Sequence, residues 1–169
     1  MLIRQETKED YAQICDLVKT AFSTIEHSDG NEQNLVTALR NSEAFVPGLS
    51  LVAEIDGRIA GHIMFTEGKV GQDTVLVLAP LSVLPEYQQQ GIGTALIAEG
   101  HKAAQALGYQ YSLVLGSEQY YPRSGYIPAR RLGIEVPVGM PDENFMAIKL
   151  QENAKPIKGA VTYAKEFGI

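Results

Sequence analysis

Apolar residues recur along the chain at two periods, and the alternation between them lays out the elements. Leu2 to Gln5 reads as a short first strand. Thr7 and Asp10 have the spacing of a capping box, in which a hydroxyl and a carboxylate satisfy free amides at a helix start. Behind it Tyr11, Ile14, Val18, Ala21 and Phe22 repeat at the interval of one helix face, which predicts a helix from about Lys8 to Phe22. Ser28-Asp29-Gly30-Asn31 reads as a turn. Leu35, Val36 and Leu39 then mark a second helix over Glu32 to Arg40.

A hairpin follows. Leu49 to Ile55 and Arg58 to Glu67 are strands, and Asp56-Gly57 between them suits the paired positive φ angles of a type I′ turn. Strict alternation on the second strand puts Ile59, Gly61, Ile63 and Phe65 on one face and Arg58, Ala60, His62 and Met64 on the other. A turn near Gly71-Gln72-Asp73 leads into Thr74 to Leu84, an almost wholly apolar run expected of a central strand covered on both faces. Pro80 inside that run cannot donate to a ladder, so a bulge is expected there. A helix runs to Leu107, with Leu96, Gly100, Ala103, Ala104 and Leu107 as its expected buried stripe, and Gly108 ends it. Tyr109 to Leu115 is a strand, a helical turn spans Gln119 to Ser124, and strands are expected at Tyr126 to Ala129 and Asn144 to Leu150. The order predicts an α+β fold: a single mixed, mostly antiparallel central sheet flanked by helices, with one right-handed parallel crossover.

Composition narrows the class. A chain of 169 residues, 45% apolar and 20% charged, suits one globular domain. Residues 1–150 carry the pattern above, and residues 151–169 are expected to pack on the same domain as an extension. The net charge of −6 comes with no basic run, which argues against sequence-independent nucleic-acid binding and leans slightly towards a cationic substrate. One cysteine makes no internal disulfide, and His27, His62 and His101 are too scattered for a zinc cage, so no metal site is expected. No run approaches the length of a membrane span, and the first residues lack the apolar core of a signal peptide. No membrane association is expected, and the cytoplasm is the default location.

Candidate chemistry begins at Gln88-Gln89-Gln90-Gly91-Ile92-Gly93-Thr94, between an apolar strand and a helix. Glycines permit close backbone approach, and the free amides of a helix start form an anion site suited to phosphate. A plain loop is the alternative reading of so short a string. The dinucleotide fingerprint fails, because its third glycine position holds Leu96, and no P-loop string exists.

The segment Leu81-Ser82-Val83-Leu84-Pro85-Glu86-Tyr87 through Leu96 resembles the strand and acyl-CoA loop of the GCN5-related N-acetyltransferase (GNAT) superfamily, with Gln88, Gly91 and Gly93 at its signature positions. Tyr120-Tyr121-Pro122-Arg123-Ser124-Gly125-Tyr126 resembles a second family segment in the right order. The resemblance covers residues 1–150 and implies a GNAT-like fold and transfer of acetyl from acetyl-CoA to an amine, borne by a small molecule or a peptide. It implies that the amides of Gln89, Gln90, Gly91, Ile92, Gly93 and Thr94 hold the CoA pyrophosphate. It further implies that Leu81, Ser82 and Val83 pair with pantetheine, and that Tyr121 is the general acid. A carboxylate acting through water is needed to take the amine's proton, and Glu67 and Glu118 are the candidates. Homodimers are frequent in the family. The chain departs from the pattern at Gly116, where many members carry asparagine.

Blander roles stand beside these. Tyr120 is expected to pack, His62 to be structural rather than to line a cleft, and Cys15 to be a small buried hydrophobe. Arg123, Arg130 and Arg131 form a basic cluster that either touches the 3′-phosphate of CoA or is simply solvated. An acyl-CoA-binding sensor or interaction module without catalysis is the alternative function, and a hydrolase of phosphorylated metabolites lacks its metal cluster or nucleophile pair.

Overall fold

The computed structural model describes residues 1–26 and 28–169. The zinc argument's His27 lies outside the described residues. The elements in chain order are β1 (Leu2–Gln5), α1 (Tyr11–Phe22), α2 (Glu32–Arg40), β2 (Phe45–Ile55), β3 (Arg58–Val70), β4 (Asp73–Val83), α3 (Ile92–Ala106), β5 (Tyr111–Leu115), β6 (Ile127–Pro128), β7 (Ile134–Glu135), β8 (Phe145–Lys149) and β9 (Gly159–Thr162). A single 3-10 turn, Lys8–Asp10, precedes α1. There the Asp10 carboxylate accepts from the Thr7 amide at 2.7 Å and is gripped by Arg4 at 2.7 and 3.0 Å.

The sheet runs β1-β2-β3-β4-β5-β8-β6. Only β4 and β5 within that path are parallel, as a crossover through α3 requires. Asp56 and Gly57 turn the first hairpin with φ of 51 and 79°, the type I′ signature. Helices α1 and α2 cover one face of the sheet, where Ile14, Val18, Leu39 and Met64 pack together. Helix α3 covers the other, on Leu51, Ile63, Phe65 and Leu76.

Three sequence expectations need correction. Strict alternation on β3 fails at its start: Ala53 pairs with Gly61 but Glu54 pairs with Ile59. The extra residue, a bulge, turns Ile59 to the α1 side and Ala60 to the α3 side. The buried stripe of α3 is Ile92, Leu96, Ile97, Gly100, His101 and Ala104, and Leu107 is 56% exposed. Leu107 is the C-terminal cap of α3, past its last helical residue Ala106. Cys15 is exposed, because the inward face of α1 is already filled by Ile14, Leu17 and Val18.

The last nineteen residues return to the sheet. Val161 and Thr162 of β9 pair with Val70 and Lys69 of β3, beyond the point where β2 begins at Phe45↔Thr66. Strand β9 thus continues the β2 flank of β3. Its other side takes β7 in parallel.

Candidate active site

Strand β4 keeps its antiparallel ladder with β3 to the end, but it parts from β5. The parallel register holds at Leu76↔Ser112 and Val77↔Leu113 only. Between Leu78 and Leu81 β4 carries one residue more than β3, so the bulge expected at Pro80 is present. Beyond it Leu81, Ser82 and Val83 pair with β3 alone. The Leu84 amide donates to Ala60 at 2.9 Å. Ladder alternation then aims the backbone groups of Ser82 at β3 and those of Leu81 and Val83 at the open side. There the Gln88 side chain donates to the Val83 carbonyl at 3.1 Å.

This gap leads to the start of α3. Pro85–Tyr87 makes a single 3-10 turn. Gln89 and Gly91 then take φ of 61 and 83°. Two left-handed residues in three bend the chain sharply, so successive amides converge on one side, and glycine adopts such a φ without steric cost. No side chain caps α3, and Gln90 folds away to the Glu86 carbonyl at 3.2 Å. Gln88, Gln89, Gln90, Gly91 and Thr94 are exposed, while the Ile92 side chain anchors the loop in the core. The result is an open cradle of amides at the positive end of a four-turn helix, which favours an anion.

The opposite wall carries the tyrosines. The Tyr120 hydroxyl lies against Gly93, where a Cβ would sit only 2.3 Å from it. Tyr120 packs against the core, as expected, and spans from the loop after β5 to the start of α3. Tyr121 stacks edge-on between Tyr120 and Tyr126, with centroids at 5.1 and 5.8 Å. Its ring lies on Gly116, where a Cβ would stand 2.4 Å from Cε2. Burial, with some help from Tyr120, raises the Tyr121 phenol above its ordinary value, so it keeps its proton. Tyr126 is pinned beneath by His101 Nε2 at 3.0 Å and Ser112 Oγ at 2.8 Å. Burial also lowers His101 to about 4, which leaves it neutral. Arg123 stacks on Tyr120 at 5.0 Å.

The two candidate carboxylates part company. Glu118 is exposed in the loop before the tyrosines and accepts from Asn144 Nδ2 at 2.7 Å. Glu67 accepts from the Tyr109 hydroxyl at 2.5 Å beyond the C-terminal end of α3. Its register partner is Leu76, five residues from Leu81, or roughly 16 Å along the strand at ~3.3 Å per residue. The structure does not bring Glu67 to the gap.

A polar cluster on the other face escaped sequence reading altogether. Arg40 grips Glu6 at 2.7 and 3.1 Å, and His62 Nε2 meets Glu6 Oε1 at 3.3 Å and Ser50 Oγ at 3.0 Å. Its members come from four separate segments, and no local spacing links them. Among the described residues no group of three or more side chains is placed to hold a metal ion. No described helix is long and apolar enough to cross a membrane.

Comparison with known proteins agrees with this geometry. The chain is 37% identical to the N-acetyltransferase YjhQ of Escherichia coli K12 over 156 residues, 89% of this chain and 83% of that protein. Its fold matches a crystal structure of E. coli YhbS in complex with CoA at a TM-score of 0.89, with 27% identity, covering 99% of this chain and 92% of that one. It matches a GNAT acetyltransferase from Brucella melitensis in complex with acetyl-CoA at 0.82, with 32% identity, covering 98% and 97%. The model of the acetyltransferase (GNAT) family matches residues 11–126, so the chain belongs to the GNAT family of N-acetyltransferases.

Proposed function

We propose that the protein moves the acetyl group of acetyl-CoA onto a primary amine of a small molecule or peptide by direct attack, with Tyr121 as general acid. The observation that carries this is the gap between β4 and β5, which opens at the uncapped start of α3 and is walled by a neutral phenol. The residues fit the donor. A diphosphate suits the amides of Gln89 to Thr94. An extended pantetheine arm suits the outward groups of Leu81 and the Val83 amide, as an added strand would, the Val83 carbonyl being taken by Gln88. A Leu81 amide aimed into the gap is available to polarise the thioester carbonyl. Similarity to proteins crystallised with CoA and acetyl-CoA supports the same reading.

The chemistry then needs no enzyme nucleophile. The amine's lone pair attacks the carbonyl carbon, the carbon–sulfur bond breaks, and Tyr121 gives its proton to the departing thiolate. A free thiol has a pKa near 8.5 and an ordinary phenol near 10. Burial raises Tyr121 further, so the phenol keeps its proton until the thiolate forms beside it. There the same burial makes the thiolate a stronger base. The proton left on the new amide nitrogen restores the phenol.

The test is CoA release from acetyl-CoA with a panel of polyamines, amino acids, aminoglycosides and peptide amines. At least one amine is expected to be acetylated, and Tyr121→Phe is expected to bind acetyl-CoA normally while turning over about 10²-fold more slowly. Binding without turnover on any amine would favour a sensor instead. Full turnover by Tyr121→Phe would remove Tyr121 from the reaction.

A further inference from the structure

Three groups meet where the gap between β4 and β5 runs into the start of α3. A Cβ at Gly93 would stand 2.3 Å from the Tyr120 hydroxyl and 3.6 Å from Cδ2 of Leu81. A carbon–carbon bond adds about 1.5 Å, so the hydroxyl lies within about 4 Å of the Gly93 backbone. Gly93 is the second residue of α3, and its amide is one of those at a helix start that have no partner within the helix. Leu81 heads the stretch of β4 that pairs with β3 alone. The tip of Tyr120 therefore stands at the joint between the amide cradle and the gap.

Local structure aims the side chain there. The Tyr120 amide donates to the Ser117 carbonyl at 3.2 Å, and the Tyr120 carbonyl accepts from the Arg123 amide at 3.2 Å, which fixes the backbone in a tight turn. The half-buried ring packs on the α3 core and edge-on against Tyr121. The hydroxyls of Tyr109, Tyr111 and Tyr126 each bond to a protein group, whereas that of Tyr120 has no such partner among the described residues. Packing alone does not account for this oxygen. Cζ of Tyr120 would stand 3.5 Å from the Gly93 Cβ, an ordinary contact, so a phenylalanine would fill the same place. A phenolic O–H beside free helix amides is a donor in want of an acceptor, and the Arg123 guanidinium over the ring adds positive charge nearby. A ligand that suits these groups accepts hydrogen bonds, and an anion does so best.

We propose that the Tyr120 hydroxyl donates a hydrogen bond to the diphosphate of acetyl-CoA, at the phosphate that joins the pantetheine arm, and so selects a diphosphate-bearing thioester over a bare pantetheine one. This rests on the placement of acetyl-CoA proposed above, with the diphosphate on the amides of Gln89 to Thr94 and the arm along β4. An arm that leaves the cradle for the gap passes Gly93 and Leu81, and the phosphate oxygens are the charged atoms it brings to that point. A hydrogen bond to an ionised acceptor is stronger than one between neutral groups, so one hydroxyl is enough to discriminate. Tyr120 takes no part in bond making: it binds with its tip while its ring flanks Tyr121.

Calorimetric titration tests this without any acceptor amine. The probes are CoA, dephospho-CoA, which keeps the diphosphate, and pantetheine, which has none and is read by competition with CoA. Tyr120→Phe keeps the ring and its packing. It is expected to bind CoA and dephospho-CoA about 10-fold more weakly, as for one lost hydrogen bond to a charged group, with pantetheine within twofold of wild type. An equal loss for pantetheine marks a structural role and overturns the proposal. A loss for CoA alone puts the contact on the 3′-phosphate and overturns it too. Gly93→Ala is an independent check, since Gly93 is helical and its new methyl would meet the hydroxyl but not the ring. It should weaken CoA about 10-fold in wild type and less than twofold in Tyr120→Phe, and full additivity overturns the shared contact. Failure of the wild type to bind CoA overturns the placement of acetyl-CoA and this proposal with it, whereas a Tyr120→Phe protein with wild-type affinities overturns this proposal alone.

Discussion

Gly116→Ala puts the placement of Tyr121 to a quantitative test. The backbone there is not left-handed, so alanine brings no backbone strain, but its Cβ would stand 2.4, 3.0 and 3.4 Å from Cε2, Cδ2 and Cζ of Tyr121. The nearest ring carbon must retreat by about 1 Å to reach an ordinary contact near 3.5 Å. Tyr126 cannot give way, because it is 1% exposed and bonded to both His101 and Ser112. The Tyr121 ring must therefore swing towards solvent and carry its hydroxyl with it. Misplacement by 1 Å is worth up to about 10²-fold in rate, so kcat should fall about 10- to 100-fold. Acetyl-CoA affinity should hold within a few-fold, since the amide cradle at α3 is untouched. The decisive assay is a double-mutant cycle on kcat with Tyr121→Phe. Once the hydroxyl is gone its displacement costs nothing, so Gly116→Ala should slow the Tyr121→Phe enzyme by less than twofold. Wild-type turnover by Gly116→Ala, or full additivity in the cycle, would refute the argument.

Other outcomes follow from named contacts. Gly100→Ala pits about 1 kcal/mol of helix propensity against a Cβ 2.3 Å from the Phe65 ring. Phe65 is fully buried, so denaturant unfolding should show a net loss of about 1–3 kcal/mol, and a gain would refute the packing. Glu67→Gln should leave kcat within twofold, since Glu67 on β3 bonds Tyr109 far from the gap; a 10²-fold loss would restore it as a base. Arg4 holds the Asp10 carboxyl at about 2, and the bonds to Glu6 do likewise. Depressed carboxyls contribute stability above their unfolded pKa near 4 and lose it as pH falls towards 2. Chemical denaturation should therefore show stability falling between about pH 4.5 and 2, with a shallower fall in Glu6→Gln.

What could be read from the chain alone was whatever is local. The Asp56-Gly57 turn, the Thr7–Asp10 start, α2 and the Pro80 bulge each follow from a handful of neighbouring residues. The Gln88–Thr94 loop was legible for the same reason. Ile59 was misplaced because a bulge breaks the count on which alternation rests. Tyr120 was rightly read as packing, but its contact with Gly93 was not legible, since Gly93 lies twenty-seven residues away in sequence. The docking of β9 left its mark on its partner instead: a Cβ at Gly68 would stand 2.9 Å from the Thr162 carbonyl. The Glu6–Arg40–Ser50–His62 cluster was invisible, since only tertiary folding brings its members within reach.

A strand that loses its neighbour halfway along is, for the rest of its length, an exposed edge inside the protein. Edges of that kind invite any extended chain to zip on, and proteins ordinarily shield them. On the proposed reading, the shield in this fold is the pantetheine arm of acetyl-CoA, held for the length of a turnover. A bound occupant at a hundred times its dissociation constant adds about 2.7 kcal/mol to the folded state. On that reading the supply of the occupant bears on the stability of the fold as well as on the rate of work.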